Sequence, residues 1–368
     1  MQRILFLLTI ILFTSCSKKE NSTFTLQGKI NNSENKYILL QQESDIERKI
    51  SKLIDTIKLD ENGNFEYALN DEPHYYTLVL NENENIPLAI AKDQQITIES
   101  INSKPLVTGS KDTDLLNAYE KLRKESLDRL VNTIRKQIVA ENKSENPNPK
   151  TIDSLGKLEL KNYDLHLAEL NTFIKDKMGT SIAIYPTSLR WKDNNIKFFD
   201  SLTSAFETAH PDLAISKKLR EKVTRLQQTA LGGKVPGIVM TAANKDTVSL
   251  FSITEKYTLI DFWASWCGPC RRESDILNKL YEKYKDKGFT IYGVSLDTNE
   301  KQWTNAMAKD HRIWANVSSL QGFETPAAYN FAVTALPMNY LIDSKGIIIA
   351  KNLHGEELEK LVDQVMAN

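Results

Sequence analysis

Tyr257-Thr258-Leu259-Ile260-Asp261-Phe262-Trp263, followed at once by Ala264-Ser265-Trp266-Cys267-Gly268-Pro269-Cys270, is an apolar strand running into a C-x-x-C pair. Two cysteines three apart can close a disulfide only where the backbone turns tightly, as it does in the first turn of a helix. Cys267 then sits where unpaired backbone N–H groups point outward. Those dipoles favour a thiolate, so its pKa falls and its sulfur becomes a nucleophile near neutral pH. Pro269 suits this placement because a first-turn proline has no helical hydrogen bond to lose. The stretch reads as a redox dithiol.

Two other readings fit less well. A zinc site needs four ligands, yet the chain has one further cysteine, Cys16, and His74, His166, His210, His311 and His354 are scattered away from ligand spacing. A purely structural disulfide across two residues would constrain the unfolded chain little, because that stabilisation grows with loop length. The dithiol carries its two electrons itself, so no metal and no organic cofactor is expected.

Outward from the motif, residues 232–368 alternate strands with helices. Tyr257–Trp263, Thr290–Leu296 and Met338–Asp343 are the expected core strands, and Ile347–Ala350 a final one. Cys267–Lys285, Lys301–Ala308, Thr325–Phe331 and Gly355–Met366 are the expected helices. This order implies an α/β domain, a sheet with helices on both faces. Leu231-Gly232-Gly233-Lys234-Val235-Pro236 is the best linker candidate before it.

Residues 111–231 have a helical period. Leu115, Tyr119, Leu122, Leu127, Leu130, Ile134 and Ile138 recur mostly at threes and fours among charged residues, and Leu155 to Ile174 repeats the pattern after a break at Asn142–Lys150. Shorter helices are expected at Ser181–Leu189, Ile196–Ala209 and Ala214–Thr229. Residues 24–110 read as seven short strands bounded by Asn, Asp, Gly and Pro, which suggests an all-β sandwich-like domain. It holds no cluster of catalytic residue types. The fold class is therefore multidomain: β sandwich, helical spacer, then α/β domain.

Residues 1–15 differ in kind. Arg3 precedes an apolar run, Ile4 to Phe13, of signal-peptide length and too short to span a bilayer. Phe13-Thr14-Ser15-Cys16 resembles a bacterial lipobox, in which cleavage before Cys16 leaves a lipidated N-terminal cysteine and residues 16–23 form a tether. The usual leucine is replaced here by Phe13. An ordinary secretory signal with an incidental cysteine is the alternative. The anchored reading places the protein in the bacterial cell envelope, facing the periplasm. Lys plus Arg number 47 and Asp plus Glu 48, so no basic excess argues for nucleic acid.

Asp261 through Cys270 resembles thioredoxin nearly letter for letter. Cys270-Arg271-Arg272-Glu273, Ile291-Tyr292-Gly293-Val294-Ser295-Leu296-Asp297 and Thr334-Ala335-Leu336-Pro337-Met338-Asn339-Tyr340-Leu341-Ile342-Asp343 are more similar to the TlpA/ResA branch of exported, membrane-tethered thiol-disulfide oxidoreductases. The resemblance covers about residues 233–368 and implies a thioredoxin fold. More weakly, residues before it resemble the extension of some lipoprotein thioredoxins. The resemblance makes Cys267 the attacking nucleophile and Cys270 the resolving thiol of a Cys267–Cys270 redox disulfide. It makes Pro337 a cis-proline opposite the dithiol, with the Leu336 backbone offered to substrate and Trp266 an apolar docking face. Asp261 matches a buried aspartate and Glu273 an active-site glutamate, both candidate proton acceptors for Cys270. Of the two, Asp261→Asn is expected to have the larger effect, because a strand residue under the disulfide is more readily desolvated.

Two positions depart from the family. Asp275 stands where a helix-kinking proline is common, and Gly293 where thioredoxin has a lysine partner for its aspartate, so cationic help for Asp261 must come from elsewhere. The implied partners are protein disulfides and a membrane thiol-electron donor fed by cytoplasmic thioredoxin. Gly268-Pro269 matches the reducing end of a scale from about −270 mV for thioredoxin to about −120 mV for DsbA. A disulfide oxidase or isomerase is the alternative chemistry. A surface-binding lipoprotein with an accessory thioredoxin domain is the alternative outside it. Peroxidase activity lacks a separate peroxidatic cysteine.

Overall fold

The computed structural model describes residues 24–30, 36–101 and 104–367. The expected signal peptide (1–15), the lipidation site Cys16 and the tether (16–23) lie outside the described residues. The chain divides into two compact units, the first ending at Thr187 and the second beginning at Ser188.

In the first unit the strands are β1 (Phe24–Lys29), β2 (Tyr37–Asp45), β3 (Ile50–Lys58), β4 (Asn64–Leu69), β5 (His74–Asn81), β6 (Glu84–Ile90), β7 (Gln94–Ile101) and β8 (Lys104–Thr108). They make two four-stranded sheets, β4-β1-β7-β8 and β3-β2-β5-β6. The period-2 pattern decides which side is inside: His74, Tyr76, Leu78 and Leu80 of β5 are buried, while Tyr75, Thr77 and Val79 are half-buried. Leu26, Ile96 and Ile98 from one sheet join Ile38, Leu40, Tyr76 and Leu88 from the other in a single core. This is the expected sandwich, with β8 as an eighth strand that sequence reading did not include. β8 pairs antiparallel with β7 at its sheet edge, and a five-residue segment containing Pro105 offers too little alternation to be read alone.

The helical period resolves into α1 (Lys111–Leu127), α2 (Thr133–Asn142), α3 (Pro149–Phe173) and a single turn α4 (Ile184–Thr187). Between α1 and α2 the rod continues through a π-helical turn, Asp128–Asn132. Ser110 starts it: its side chain accepts the Thr113 N–H at 3.0 Å, and its hydroxyl donates to the Ala89 carbonyl of β6 at 2.8 Å. One residue thus caps the helix and ties it to the sandwich. Asn148 caps α3 and Pro149 occupies its first turn, which is why the chain restarts there.

The second unit contains α5 (Ile196–Ala209), α6 (Ala214–Gln228), a small hairpin β9 (Val239–Thr241) and β10 (Thr247–Ser249), and then β11 (Tyr257–Trp263), α7 (Gly268–Tyr284), β12 (Phe289–Ser295), α8 (Glu300–Lys309), β13 (Ala315–Ser318), α9 (Pro326–Asn330), β14 (Met338–Asp343), β15 (Ile348–Lys351) and α10 (Gly355–Ala367). The five-stranded sheet has the order β13-β12-β11-β14-β15. β12 lies parallel to β11, and β14 antiparallel to it on the other side. β13 was not anticipated, since four residues are too few to display a period.

Leu231–Pro236 is not a free connector. Gly232 N–H donates to the Ile348 carbonyl at 2.9 Å, Ile348 N–H to Gly233 at 2.9 Å, and Val235 N–H to Gly346 at 3.0 Å. The compact second unit begins upstream of this segment, at Ser188. α6 belongs there too, with the Arg225 guanidinium 4.0 Å above the Tyr329 ring and Lys351 Nζ donating to the Thr229 carbonyl at 3.1 Å. Gly and Pro mark tight turns as readily as linkers, and only tertiary pairing distinguishes them.

Alternation along β11 sets the chemistry. Ile260 and Phe262 face the core that includes Ala327 and Ala328 of α9. Leu259 faces the opposite core with Leu277 and Leu280 of α7 and Leu358 and Val362 of α10. Asp261, two residues on, shares the face of Leu259, under α7.

Candidate active site

Cys267 is the N-cap of α7, and its sulfur accepts the Cys270 N–H at 3.2 Å. The pair is closed as a disulfide across that first turn, with Cα atoms 5.3 Å apart. Cys267 retains 5% exposure and Cys270 1%, so Cys267 is the less buried residue of the two. Trp263, Ala264 and Trp303 pack around both cysteines, and the half-buried Leu336 packs against the same cluster. The Leu336–Pro337 bond is cis.

Asp261 is buried and its Oδ2 accepts from Arg312 Nη1 at 2.7 Å. Arg312 spends its other donors on the same helix turn: Nη2 to the Cys270 carbonyl at 3.1 Å and Nε to Ser274 Oγ at 3.0 Å. Its guanidinium also lies 4.0 Å over Trp263 and 5.6 Å from Trp314. Burial pushes the Asp261 carboxyl above its ordinary value, opposed by the charge and hydrogen bond of Arg312. The cation missing at Gly293 is thus supplied from the loop before β13. Gly293 lies beside Asp261 in the sheet, and a Cβ there would come 2.2 Å from Asn316 Oδ1. No side chain fits that site without moving Asn316, whose Nδ2 donates to the Arg312 and Trp314 carbonyls.

Glu273, one turn beyond Cys270, is buried rather than on a solvated face. Both carboxylate oxygens lie 3.1 Å from His354 Nδ1, and Gly355 N–H donates to Oε1 at 3.2 Å. The hydrogen bond that the ring makes to the Glu273 carboxylate raises the imidazole pKa, against partial burial. His354 Nε2 is 3.0 Å from Asn352 Oδ1.

The turn before the cysteines is braced from the loop after β12. Asp297 accepts the Ser265 N–H at 2.9 Å and both the Ser265 and Ser295 hydroxyls. Arg271 holds the Ser265 carbonyl at 3.1 Å and pairs with Asp310. Trp266 stays 57% exposed on the rim, its ring 6.3 Å from Phe323. It lines an open groove of about 390 Å³ with Ser265, Arg271, Gln302, Asn305 and Lys309.

Cys267, Cys270, Asp261, Glu273 and Leu336 are thus brought to one end of the sheet. Arg312, His354, Asp297 and Asp310 were missed. They lie 51 residues from Asp261, 81 from Glu273, 32 from Ser265 and 39 from Arg271, so no local spacing announces them.

A dithiol across the first turn of a helix, at the end of a mixed five-stranded sheet with helices on both faces, defines a thioredoxin-fold oxidoreductase. Residues 230–366 match the Redoxin family, and residues 24–116 match a domain of unknown function, DUF4369. Thiol-disulfide oxidoreductase ResA of Bacillus thuringiensis subsp. konkukian is 28% identical over 143 residues, 39% of this chain and 80% of that protein. The thioredoxin-like protein YneN of Bacillus subtilis is 30% identical over 125 residues, 32% of this chain and 68% of that protein. The solved thioredoxin domain of a thiol-disulfide oxidoreductase from Bacteroides vulgatus is 36% identical, matching 37% of this chain and 98% of that one, at a TM-score of 0.36. The chain belongs to the TlpA/ResA-like thiol-disulfide oxidoreductases.

Proposed function

We propose that this oxidoreductase runs as a protein-disulfide reductase, anchored by a lipid on Cys16 in the cell envelope and facing the periplasm. The observation that carries the direction is Gly268-Pro269 between the cysteines, the pair found at the reducing end of the family. Cys267 thiolate attacks one sulfur of a substrate disulfide, forming a mixed disulfide and releasing the other sulfur as a thiolate. Cys270 gives its proton to a neighbouring carboxylate, Asp261 or Glu273, and attacks Cys267. The Cys267–substrate bond breaks, and the substrate leaves with both electrons. Trp266, Leu336 and Pro337 form the rim that receives the substrate chain. A membrane thiol donor then reduces the closed pair.

Equilibration against glutathione of known composition tests the direction. A potential near about −270 mV supports a reductase, whereas one above about −180 mV assigns an oxidase or isomerase instead.

The anchor is tested separately. Wild-type protein is expected to partition with membranes, and Cys16→Ser to be released or misprocessed. Mass spectrometry finding an unlipidated wild-type N-terminus overturns the anchor while leaving the dithiol chemistry intact. Among the described residues no helix is long and apolar enough to cross a membrane.

A further inference from the structure

We propose that His354 is the positioning residue that sets the charge of Glu273 during the resolving step and links it to solvent. This rests on Glu273 being a proton acceptor for Cys270. Three observations carry it.

The two buried carboxylates have different partners. Asp261 is held by Arg312, a group that stays cationic, and both side chains are almost fully buried. Glu273 is held by His354, whose side chain is 34% exposed against 8% for the glutamate. The ring bridges the two environments, with Nδ1 on the carboxylate and Nε2 toward Asn352. Imidazole can take a proton at one nitrogen and release one from the other, near neutral pH.

The proton balance follows. Cys270 thiol transfers its proton to the Glu273 carboxylate, leaving the thiolate that attacks Cys267. The neutral glutamic acid passes its proton to Nδ1 of neutral His354 in its Nε2–H tautomer, held by Asn352 Oδ1, and the imidazolium then releases the Nε2 proton to water. No redox partner beyond the substrate disulfide is needed. While His354 is already cationic it cannot take a second proton, and the route is blocked. The charged and titratable groups that bear on the imidazole are Glu273 from α7, Asp261 from β11 and Glu357 from α10, with Arg312 beyond Asp261. Together the carboxylates move its titration upward from the ordinary value of about 6.5. The resolving rate should therefore climb as pH rises through that titration.

The test is stopped-flow reaction of the reduced full-length protein with 5,5′-dithiobis(2-nitrobenzoate). The first equivalent of released thiolate reports attack by Cys267, and the second reports resolution by Cys270. This readout does not depend on which direction the enzyme runs in the cell. His354→Gln keeps a donor to Glu273 but cannot titrate. It is expected to slow the second phase about tenfold at neutral pH, leave the first within about twofold, and lose the limb above pH 6.5, while the thiol limb at higher pH remains. Glu273→Gln should slow the second phase more, by about a hundredfold, and the double variant should be no slower than Glu273→Gln alone. His354→Asn, with a shorter neutral amide, should reproduce the pH change. If His354→Gln keeps the wild-type limb, or slows both phases equally, the assignment of His354 fails although Glu273 keeps its role. If Glu273→Gln is itself unchanged, the underlying acceptor reading fails with it.

Discussion

Cys270→Ala will accumulate as covalent mixed disulfides through Cys267, while Cys267→Ser will capture no partner and reduce insulin no faster than the uncatalysed background. The asymmetry follows from the helix. Cys267 caps α7, faces its open N–H groups and is the less buried cysteine, whereas Cys270 lies inside the first turn with its carbonyl held by Arg312. A thiol at a helix N-terminus titrates in a range of about 3.5–7.5 rather than near about 8.5. Alkylation rates against pH for the two single-cysteine variants check this directly. Equal rates, or faster reaction at Cys270, would reverse the assignment of attacker and resolver.

The second large effect is on stability. Arg312→Met leaves Asp261 buried without its cation and removes donors from the Cys270 carbonyl and Ser274. Breaking one member of a buried ion pair costs about 3–5 kcal/mol, because the remaining charge keeps its desolvation penalty. Urea unfolding of Arg312→Met should show a loss of that size. The double variant Asp261→Asn with Arg312→Met should recover a substantial part of it, since no uncompensated charge remains. A loss under about 1 kcal/mol for the single variant would mean that Asp261 is protonated in the folded protein and the pair contributes little.

The apolar strand, the helix-start proline and the C-x-x-C spacing made the site's centre legible, because each expresses a local rule. A strand period is 2, a first-turn proline loses nothing, and a helix end exposes its N–H groups. The same locality explains the amphipathic runs that became α1, α2 and α3. Glu273 was legible as one turn beyond Cys270, but not as a buried residue, since helical spacing fixes a direction and not what covers it.

Local pattern and the family resemblance carried the sandwich, the main helices, the alternation of strands with helices and the dithiol at a helix start. Packing in three dimensions, and not the sequence, shows that Leu231–Pro236 is hydrogen-bonded to Gly346 and Ile348. Only it supplied Arg312 to Asp261 and His354 to Glu273. Hydrophobic period acts over a few residues and can be read along the chain. Charge pairing depends on distance in space, and the sheet order β13-β12-β11-β14-β15 brings the loops before β13 and after β15 to α7 from opposite sides. The two carboxylates thus acquire different partners, one a buried guanidinium and the other a half-buried, titratable ring.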